Sequence, residues 1–264
     1  MAYLELKHVG FAYPNGFQAV EDVSMSFELG ETVAIIGQNG AGKTTTVKLM
    51  NGLLRPTQGE VLVEGQSTKG FTTAQIARKV GYVFQNPDDQ IFQESIYREI
   101  AYGLIKQKRS ADDVKRRVEY AAELCGLTDA LQEHPYNLPY SKRKFVTIAA
   151  IIAMDPQVII LDEPTAGQDR VSTELLGHII DELGAQNKVV ITITHDMEFV
   201  ARQFTRVIIM AKKQKRRDGT PMEIFWYEPL LQMSGLKQPY LCQLANLLGH
   251  RDVLTIDDLM EAKL

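Results

Sequence analysis

Short apolar runs separated by polar turns dominate the chain, and they predict β-strands. Four of these runs are apolar enough for strands that are buried on both faces of a parallel sheet: Thr32–Ile36, Val80–Phe84, Val158–Leu161 and Lys188–Thr194. Apolar residues at helical spacing predict helices over Thr45–Met50, Thr73–Lys79, Ser141–Met154 and Val171–Leu183. Strands that alternate with helices favour an α/β fold with a mostly parallel sheet and helices on both faces.

Two parts of the chain depart from this alternation. Tyr3–Val9 and Val20–Glu28 are predicted antiparallel strands, and the turn Phe11–Gly16 between them carries aromatic side chains that we expect to be exposed. From 94 to 154 the strand signals stop, while apolar residues recur at helical spacing after a helix start at Ser110. We expect this block to form a helical subdomain. Two further short strands are predicted, at Glu60–Glu64 and Arg206–Met210.

Composition and charge exclude some classes of protein. The 264 residues are 45% hydrophobic and 23% charged, which is ordinary for a globular protein, and the net charge of -4 argues against a general nucleic-acid-binding surface. There is no run of 18 apolar residues and no signal-peptide pattern, so we expect a chain that does not itself span a membrane. Two isolated cysteines, Cys125 and Cys242, favour a reducing, cytosolic setting.

A glycine-rich loop follows the first buried strand and precedes a predicted helix, and it fits the pattern G-x-x-x-x-G-K-[ST]. In that context, backbone N–H groups and the positive end of the helix dipole bind phosphate oxygens. Lys43 would reach the β- and γ-phosphates of a nucleotide, and the Thr44 hydroxyl would bind Mg²⁺. The alternative is a glycine-rich turn without a ligand. The predicted nucleotide-binding residues of the loop are Gly37, Gln38, Asn39, Gly40, Ala41, Gly42, Lys43, Thr44 and Thr45.

Polar residues follow three other buried strands directly. Gln85 follows Phe84, the pair Asp162 and Glu163 follows Leu161, and His195 follows Thr194. Because parallel strands present their carboxyl ends at one sheet edge, we expect these groups to meet the glycine-rich loop there.

Each of these polar groups has a chemical role that suits a nucleotide site. Asp162 would hold Mg²⁺, and Glu163 would orient or deprotonate an attacking water. The alternatives are a turn that caps the following helix, for the two acidic residues, and a structural histidine, for His195.

These motifs, in this order, resemble the ATP-binding-cassette (ABC) family, the ATPase subunits of ABC transporters. The resemblance implies a P-loop NTPase core with flanking antiparallel strands over 1–220, a helical subdomain over about 94–154, and a small C-terminal extension over 221–264. In its terms, Val158–Glu163 is the Walker B strand and Ala166–Asp169 is the D-loop. It also implies that Tyr13 stacks on adenine, that Gln85 lies near the metal, that His195 senses the γ-phosphate, and that the D-loop aspartate is Asp169.

A narrower resemblance is to the ATPases of energy-coupling-factor (ECF) and cobalt-type uptake transporters. It lies in Phe84–Phe92 and in the tail from Asp218 to Leu248. It implies a subunit that hydrolyses Mg-ATP to power uptake of a vitamin or metal ion, peripheral on the cytoplasmic face of the cell membrane. It also implies two partners: a second ATPase subunit and a transmembrane subunit that docks on the helical subdomain. No nucleic-acid partner is expected.

One stretch departs from the family pattern. The family signature Leu-Ser-Gly-Gly-Gln, which reaches across a dimer to the partner's γ-phosphate, is here Leu138–Lys142. Pro139 has no N–H or hydroxyl, Tyr140 is bulky, and only Ser141 keeps a small hydroxyl. We favour a degenerate signature that pairs with a different ATPase subunit. Alternatively, Lys142 and its neighbour Arg143 substitute electrostatically, and a homodimer works.

Other features have less definite interpretations. Gln168 replaces a usually apolar residue, with no predicted consequence. The basic run Lys212–Arg217 predicts a solvated hairpin tip or, alternatively, contact with anionic lipid. The stripe from Tyr240 to Leu248 favours local packing over a partner face. Other candidate functions are a non-transport ABC ATPase acting on nucleic acid or ribosomes, and a P-loop kinase or GTPase.

Overall fold

The computed structural model describes residues 2–262, so that Met1, Lys263 and Leu264, at the ends of the two predicted regions, lie outside the described residues. Ten strands form two sheets in that part of the chain. The strands are β1 Leu4–Ala12, β2 Gln18–Phe27, β3 Thr32–Ile36, β4 Gln58–Val63, β5 Gln66–Ser67, β6 Val80–Val83, β7 Val158–Asp162, β8 Val189–Ile193, β9 Arg206–Ala211 and β10 Gln214–Gly219.

Eleven α-helices connect and cover these strands within residues 2–262. They are α1 Lys43–Met50, α2 Thr73–Ala77, α3 Ile96–Lys106, α4 Ala111–Leu124, α5 Tyr140–Met154, α6 Arg170–Ala185, α7 Met197–Gln203, α8 Pro221–Phe225, α9 Glu228–Met233, α10 Tyr240–Leu247 and α11 Ile256–Glu261. Over the same residues, no helix combines the length and apolar character needed to cross a bilayer.

The larger sheet has the strand order β10-β9-β3-β8-β7-β6, and β6, β7, β8, β3 and β9 run parallel. Ile35 pairs with Ile193, and Val83 pairs with Leu161, so the carboxyl ends of these strands lie side by side. Strands β3, β6, β7 and β8 are buried almost throughout, as their apolar runs predicted. The predicted fold class, a P-loop α/β core with a mostly parallel sheet, is confirmed.

The smaller sheet is antiparallel, with the order β2-β1-β4-β5, and it packs its apolar face on the larger one. The prediction that the aromatics of the Phe11–Gly16 turn are exposed was wrong for Phe11. That residue continues β1, pairs with Val20 and is buried. A bulged register allows β1 to run on to Ala12, and the turn is correspondingly shorter.

The hairpin predicted at the basic run is present, but the run extends beyond its tip, because Gln214 already begins β10, which pairs with β9. The tip itself is Lys212 and Lys213, both with positive φ. In α10 the apolar stripe is not packed locally: Tyr240 and Leu247 are exposed, while the small residues of the opposite face are buried.

The helical block consists of α3, α4 and α5, which pack on one another. Ser95 and Ser110 cap α3 and α4 with their side-chain oxygens, each accepting from a backbone N–H three residues on. Apolar residues such as Ile100, Val118 and Phe145 meet at the centre of the block. The block follows β6 and precedes β7. It therefore connects the carboxyl edge of the parallel sheet, where β6 ends, to the amino edge, where β7 begins.

Lys188 fixes the loop before β8 to the end of α5. Its buried ammonium donates to Asp155 Oδ1 at 2.5 Å and to the Pro156 carbonyl at 2.9 Å. Asp155 has a left-handed backbone at the C-cap of α5 and also faces Arg117. Burial raises the pKa of the Asp155 carboxyl, but the hydrogen bonds and charges of Lys188 and Arg117 outweigh burial and hold that pKa below its ordinary value.

We expect Asp155→Asn to lower the free energy of unfolding by about 1–2 kcal/mol at pH 7, because Lys188 stays buried without its counter-charge. The loss is no larger because Asp155 is half-exposed and water partly screens its charge. Urea denaturation measures this. The folded-state pKa is lowered, so the contribution is present above the unfolded pKa of about 4 and is lost as the pH falls through the folded value. Asp252→Asn is the control, because Asp252 also has positive φ but is exposed. Equal losses in both variants would contradict the ion-pair role.

Candidate functional site

The glycine-rich loop joins β3 to α1 in a conformation that only glycine adopts without strain at two positions. Gly42 has φ 96°, and a Cβ there would lie 2.6 Å from the Ala19 carbonyl oxygen. A Cβ on Gly37 would lie 2.1 Å from the Met210 carbonyl oxygen. The loop is therefore pressed against β2 and β9, and α1 begins directly after it at Lys43.

Lys43 is buried beneath the loop. Its ammonium donates to the carbonyl oxygens of Gly37 at 2.6 Å and Gln38 at 3.2 Å. Burial lowers the pKa of Lys43, and the charges of Glu163 and Asp162 oppose that shift. The hydrogen bonds from Lys43 to these two carbonyls therefore hold the loop curved around the lysine ammonium.

A cavity of about 280 Å³ lies over this loop. The predicted site residues that line it come from five separate segments, and the structure brings them together: Tyr13, the loop residues Asn39 to Thr45, Gln85, Glu163 and His195. At one end, the Tyr13 hydroxyl lies 3.4 Å from that of Thr45, and the Tyr13 ring stacks on Phe17 with 6.4 Å between centroids. This end is aromatic, whereas the other end is lined by titratable groups.

Glu163 and His195 form the titratable end. His195 Nε2 lies 2.9 Å from Glu163 Oε1. Glu163 has φ 48°, and its N–H donates to the Ile193 carbonyl at 2.8 Å, which fixes it against β8. Burial raises the pKa of Glu163 to about 7; Lys43 lowers this value and Asp162 raises it. Burial also lowers the pKa of His195, and the charge of Lys43 lowers it further.

Asp162 lies one residue before Glu163, at the end of β7, and it is almost fully buried. Its Oδ2 accepts a hydrogen bond from the Tyr82 hydroxyl at 2.6 Å, and its Oδ1 is buried without a partner among residues 2–262. Burial, followed by the charge of Asp162, raises the pKa of Tyr82, which keeps that hydroxyl a donor.

Asp162 shares a second cavity, of about 470 Å³, with Thr44 and Gln85. A hydroxyl, an amide and a carboxylate with an unpaired oxygen suit a hard divalent cation. No cluster of three or more His, Cys, Asp or Glu able to hold a metal occurs in the described part of the chain. Mg²⁺ takes one or two carboxylates and completes its shell with phosphate and water.

The departing signature lies at the start of α5. Pro139 is the N-cap and offers no side-chain cap. The Tyr140 ring packs over Gly167, where a Cβ would lie 3.7 Å from the ring, and its hydroxyl lies 3.5 Å from Asn86 Oδ1. Arg143 donates to Asp88 at 3.0 Å and its guanidinium lies over the Tyr136 ring.

Gln168, for which the sequence predicted no consequence, contacts the start of α5 in the structure. Its amide donates to the Ser141 carbonyl at 3.3 Å, and its Oε1 is buried without a partner among the described residues. Asp169 caps α6 by accepting from the Ser172 N–H at 2.7 Å. Neither Ser141 nor Asp169 appears in the lining of the two cavities described above, so the structure does not place them with the other predicted site residues.

Sequence reasoning missed three residues at the site. Phe17 lines the first cavity, and its place among the aromatics of the β1–β2 turn was a usable signal. Tyr82 and Lys144 gave no local signal. The buried Lys144 ammonium donates to the carbonyls of Phe84, at 3.2 Å, and Gln85. Burial lowers the pKa of Lys144 to about 8 against the opposing charges of Asp162 and Glu163.

Comparison with known proteins agrees with this geometry. Residues 20–166 match the family model described as ABC transporter. The chain is 34% identical over 97% of its length to the energy-coupling factor transporter ATP-binding protein EcfA of Methanocaldococcus jannaschii, covering 93% of that protein. It is 35% identical over 92% of its length to the protein of the same name from Methanothermobacter thermautotrophicus, covering 79% of it.

Two solved structures share the fold. One is cbiO1 from Clostridium perfringens, described as part of the ABC transporter complex cbiONQ. It has a TM-score of 0.80 and 28% identity, covering 94% of this chain and 99% of that one. The other is a dimeric bacterial ABC transporter cassette, with a TM-score of 0.75 and 26% identity, covering 83% of this chain and 98% of that one.

The fold and the phosphate loop define a P-loop ATPase. The chain belongs to the ABC transporter family, as the family model and the relatives show. Within that family it is an ATP-hydrolysing ATPase related to the ATP-binding proteins of ECF transporters.

We expect Gly42→Ala to lower the free energy of unfolding by about 2–5 kcal/mol, because left-handed strain adds to a clash with the Ala19 backbone. Gly16→Ala is the matched control, since Gly16 has φ 83° with open space around it, and it should cost only about 1–2 kcal/mol. Urea denaturation compares the two, and ATP-induced thermal stabilisation should be lost only in Gly42→Ala. Equal effects on unfolding and ATP binding would show that close packing of the loop is unimportant.

Proposed function

We propose that this chain is the ATP-hydrolysing subunit of an ECF-type uptake transporter for a vitamin or a metal ion. The observation that carries the hydrolytic part is the convergence of Lys43, Glu163 and His195 around one cavity over the phosphate loop. The ECF part is supported by relatives at 34% and 35% identity that carry this name. Substrate choice would lie in a membrane-embedded subunit.

In the proposed site, ATP lies along the first cavity. Tyr13 stacks on the adenine, with Phe17 extending the aromatic platform. The N–H groups of the loop, from Gly37 to Thr45, and the start of α1 bind the phosphates. On ATP binding, Lys43 exchanges its carbonyl partners for β- and γ-phosphate oxygens, for which its charge is better suited.

The second cavity supplies the proposed metal site. Thr44, Gln85 and Asp162 would hold Mg²⁺, directly or through water, and their oxygens fit that ion. When bound there, Mg²⁺ would supply positive charge to offset the negative charge that develops on the phosphates during transfer.

Glu163 is the proposed base. Its raised pKa of about 7 suits a group that must accept a proton from water near neutral pH. His195, 2.9 Å away, orients the carboxylate and would contact the γ-phosphate as its sensor. Gln85 connects the metal site to the segment that leads into the helical subdomain.

We expect Glu163→Gln to bind ATP normally and to hydrolyse it about 10²–10⁴-fold more slowly, because the amide cannot accept the proton. Phosphate release and equilibrium ATP binding measure the two effects. Glu174→Gln, an exposed change on α6, is the control and should leave both unchanged. Wild-type turnover by Glu163→Gln would refute the assignment of the base.

We further propose a heterodimer with a second ATPase subunit. Four contacts tie the signature of this chain and its neighbour Arg143 to other loops of the same chain: Tyr140 to Gly167, Tyr140 to Asn86, Arg143 to Asp88, and Gln168 to Ser141. Of the two basic residues that could have substituted for the missing glycines, Arg143 is already paired.

Only Lys142 is left to substitute, since it is exposed and its side chain makes no hydrogen bond or ion pair within residues 2–262. A partner with a standard signature would complete the site at Glu163. D-loop Asp169 would lie in the same dimer interface.

The double change Pro139→Ser with Tyr140→Gly should restore hydrolysis to the purified chain alone, by about tenfold or more, because it returns a hydroxyl and an N–H able to approach phosphate. Steady-state ATPase activity measures the gain. The same double change combined with Glu163→Gln is the control and should abolish it. High activity of the unmodified chain without a partner would contradict the heterodimer.

The surfaces for the two partners are also proposed. Phe92, just before the predicted helical subdomain, is exposed, as are Tyr102 and Ile105 within it, and the rings of Phe92 and Tyr102 meet edge to face at 4.7 Å. We assign this patch to a transmembrane subunit, with the chain peripheral on the cytoplasmic face of the membrane. The region 221–264 would pair with the second ATPase through exposed residues of α10, including Tyr240 and Leu247.

A further inference from the structure

Tyr82 and Asp162 meet across two neighbouring parallel strands. Tyr82 in β6 pairs with Ile160 in β7, two residues before Asp162. Ile160 and Asp162 project from the same face of β7, so the Tyr82 ring spans the diagonal between cross-strand positions. The hydroxyl reaches Oδ2 at 2.6 Å, and both side chains are buried, Tyr82 being 7% and Asp162 1% exposed.

The Tyr82 ring is itself held in place. Phe84, two residues further along the chain and directly after β6, packs edge to face against it, with 5.0 Å between the centroids. The cavity lined by Tyr82, Phe84 and Asp162 also contains Thr44 and Gln85. The phenol therefore lies at the border between the apolar core and the proposed metal donors.

The hydrogen bond from Tyr82 makes the two oxygens of the Asp162 carboxylate inequivalent. Oδ2 has the phenol, whereas Oδ1 is buried with no partner in the described part of the chain. A buried carboxylate oxygen without a donor is costly unless a ligand completes it. Because the phenol is neutral, it orients Asp162 without cancelling the negative charge that attracts a cation, as Lys or Arg would.

We propose that Tyr82 is a positioning residue for the metal site: its hydroxyl fixes the Asp162 carboxylate so that one oxygen remains available to a divalent cation. This inference rests on the proposed role of Asp162 in binding Mg²⁺. Tyr82 acts through Asp162 and does not touch the nucleotide. Partners that orient metal ligands in this way typically change metal affinity or activity by about 10–100-fold when they are removed.

The test uses Mn²⁺ as a spectroscopic probe for the divalent cation. Tyr82→Phe is made in the Glu163→Gln protein, so that ATP is not consumed, and ATP is kept below the protein concentration. Electron paramagnetic resonance measures free Mn²⁺ and gives its dissociation constant in the ATP complex. We expect that constant to rise about tenfold or more in Tyr82→Phe. Thermal unfolding without metal reports any purely structural effect.

Tyr3→Phe is the matched control. It removes a tyrosine hydroxyl that donates to another carboxylate, Glu64 Oε1, at 2.8 Å, on the antiparallel sheet. The Mn²⁺ dissociation constant should not change in this variant. If Tyr82→Phe gives a constant within twofold of its parent, the positioning role is overturned, whatever happens to the melting temperature.

Asp162→Asn separates failure of the inference from failure of the proposed site. If Asp162→Asn leaves Mn²⁺ binding intact, the metal site itself is wrong, and the role of Tyr82 falls with it. If Asp162→Asn weakens binding and Tyr82→Phe does not, only the inference is overturned.

In the double variant, Tyr82→Phe should add no further loss of Mn²⁺ binding, because Tyr82 acts through the carboxylate that Asp162→Asn removes. An additive loss would overturn the positioning role. If Tyr82→Phe does not fold, Tyr82→Met replaces it, with the same expected rise.

Discussion

Buried charge at the carboxyl edge of the parallel sheet is the constraint on which the rest of this site depends. Lys43, Asp162 and Glu163 are each less than 10% exposed, and they lie close enough for the charge of Asp162 to act on the pKa of both Lys43 and Glu163. A buried charge is costly unless it is paired or hydrogen-bonded. Here two loop carbonyls hold the ammonium, and a phenol holds one carboxylate oxygen.

The incomplete pairing of that edge explains why it suits a magnesium-bound triphosphate. Asp162 Oδ1 has no partner among residues 2–262, and the Lys43 ammonium is bound only by neutral carbonyls. An anion with a divalent cation would satisfy both at once. The sheet provides the rigidity for this arrangement, because Asp162 ends β7 and the loop that leads to Lys43 begins directly after β3, two strands that are buried almost throughout.

The signature region shows the opposite situation, since its polar groups are already satisfied within the chain. Arg143 is bound by Asp88, and the Ser141 carbonyl by Gln168. Tyr140 fills the space above Gly167 that a standard glycine would leave open. A loop tied to its own D-loop and to the segment after β6 has less freedom to bind a nucleotide on another subunit. The phosphate-loop edge and the signature region of this chain therefore differ: the first has unsatisfied polar groups for a ligand, whereas Arg143 and the Ser141 carbonyl of the second are already bound within the chain.

Much of the fold and part of the site could be predicted from sequence, because their signals lie in short contiguous stretches. The loop Gly37–Thr44 is one such stretch. The buried strands are recognisable as apolar runs, so Gln85, Asp162 and His195 could be placed at strand ends. Contacts between distant residues could not be predicted. Tyr82 and Asp162 are 80 positions apart, and their bond depends on the register of β6 against β7. The partners of Gln168 and Lys144 were missed for the same reason.

Sedimentation of the Glu163→Gln chain alone in Mg-ATP tests the central claim most directly: that this chain has one competent half of a nucleotide site and needs the other from a different subunit. Without hydrolysis, ATP should stay bound and hold together any dimer whose signatures work. We predict a monomer at micromolar protein, and an ATP-dependent heterodimer once a partner with a standard signature is added. A stable ATP-dependent homodimer of this chain would contradict the claim.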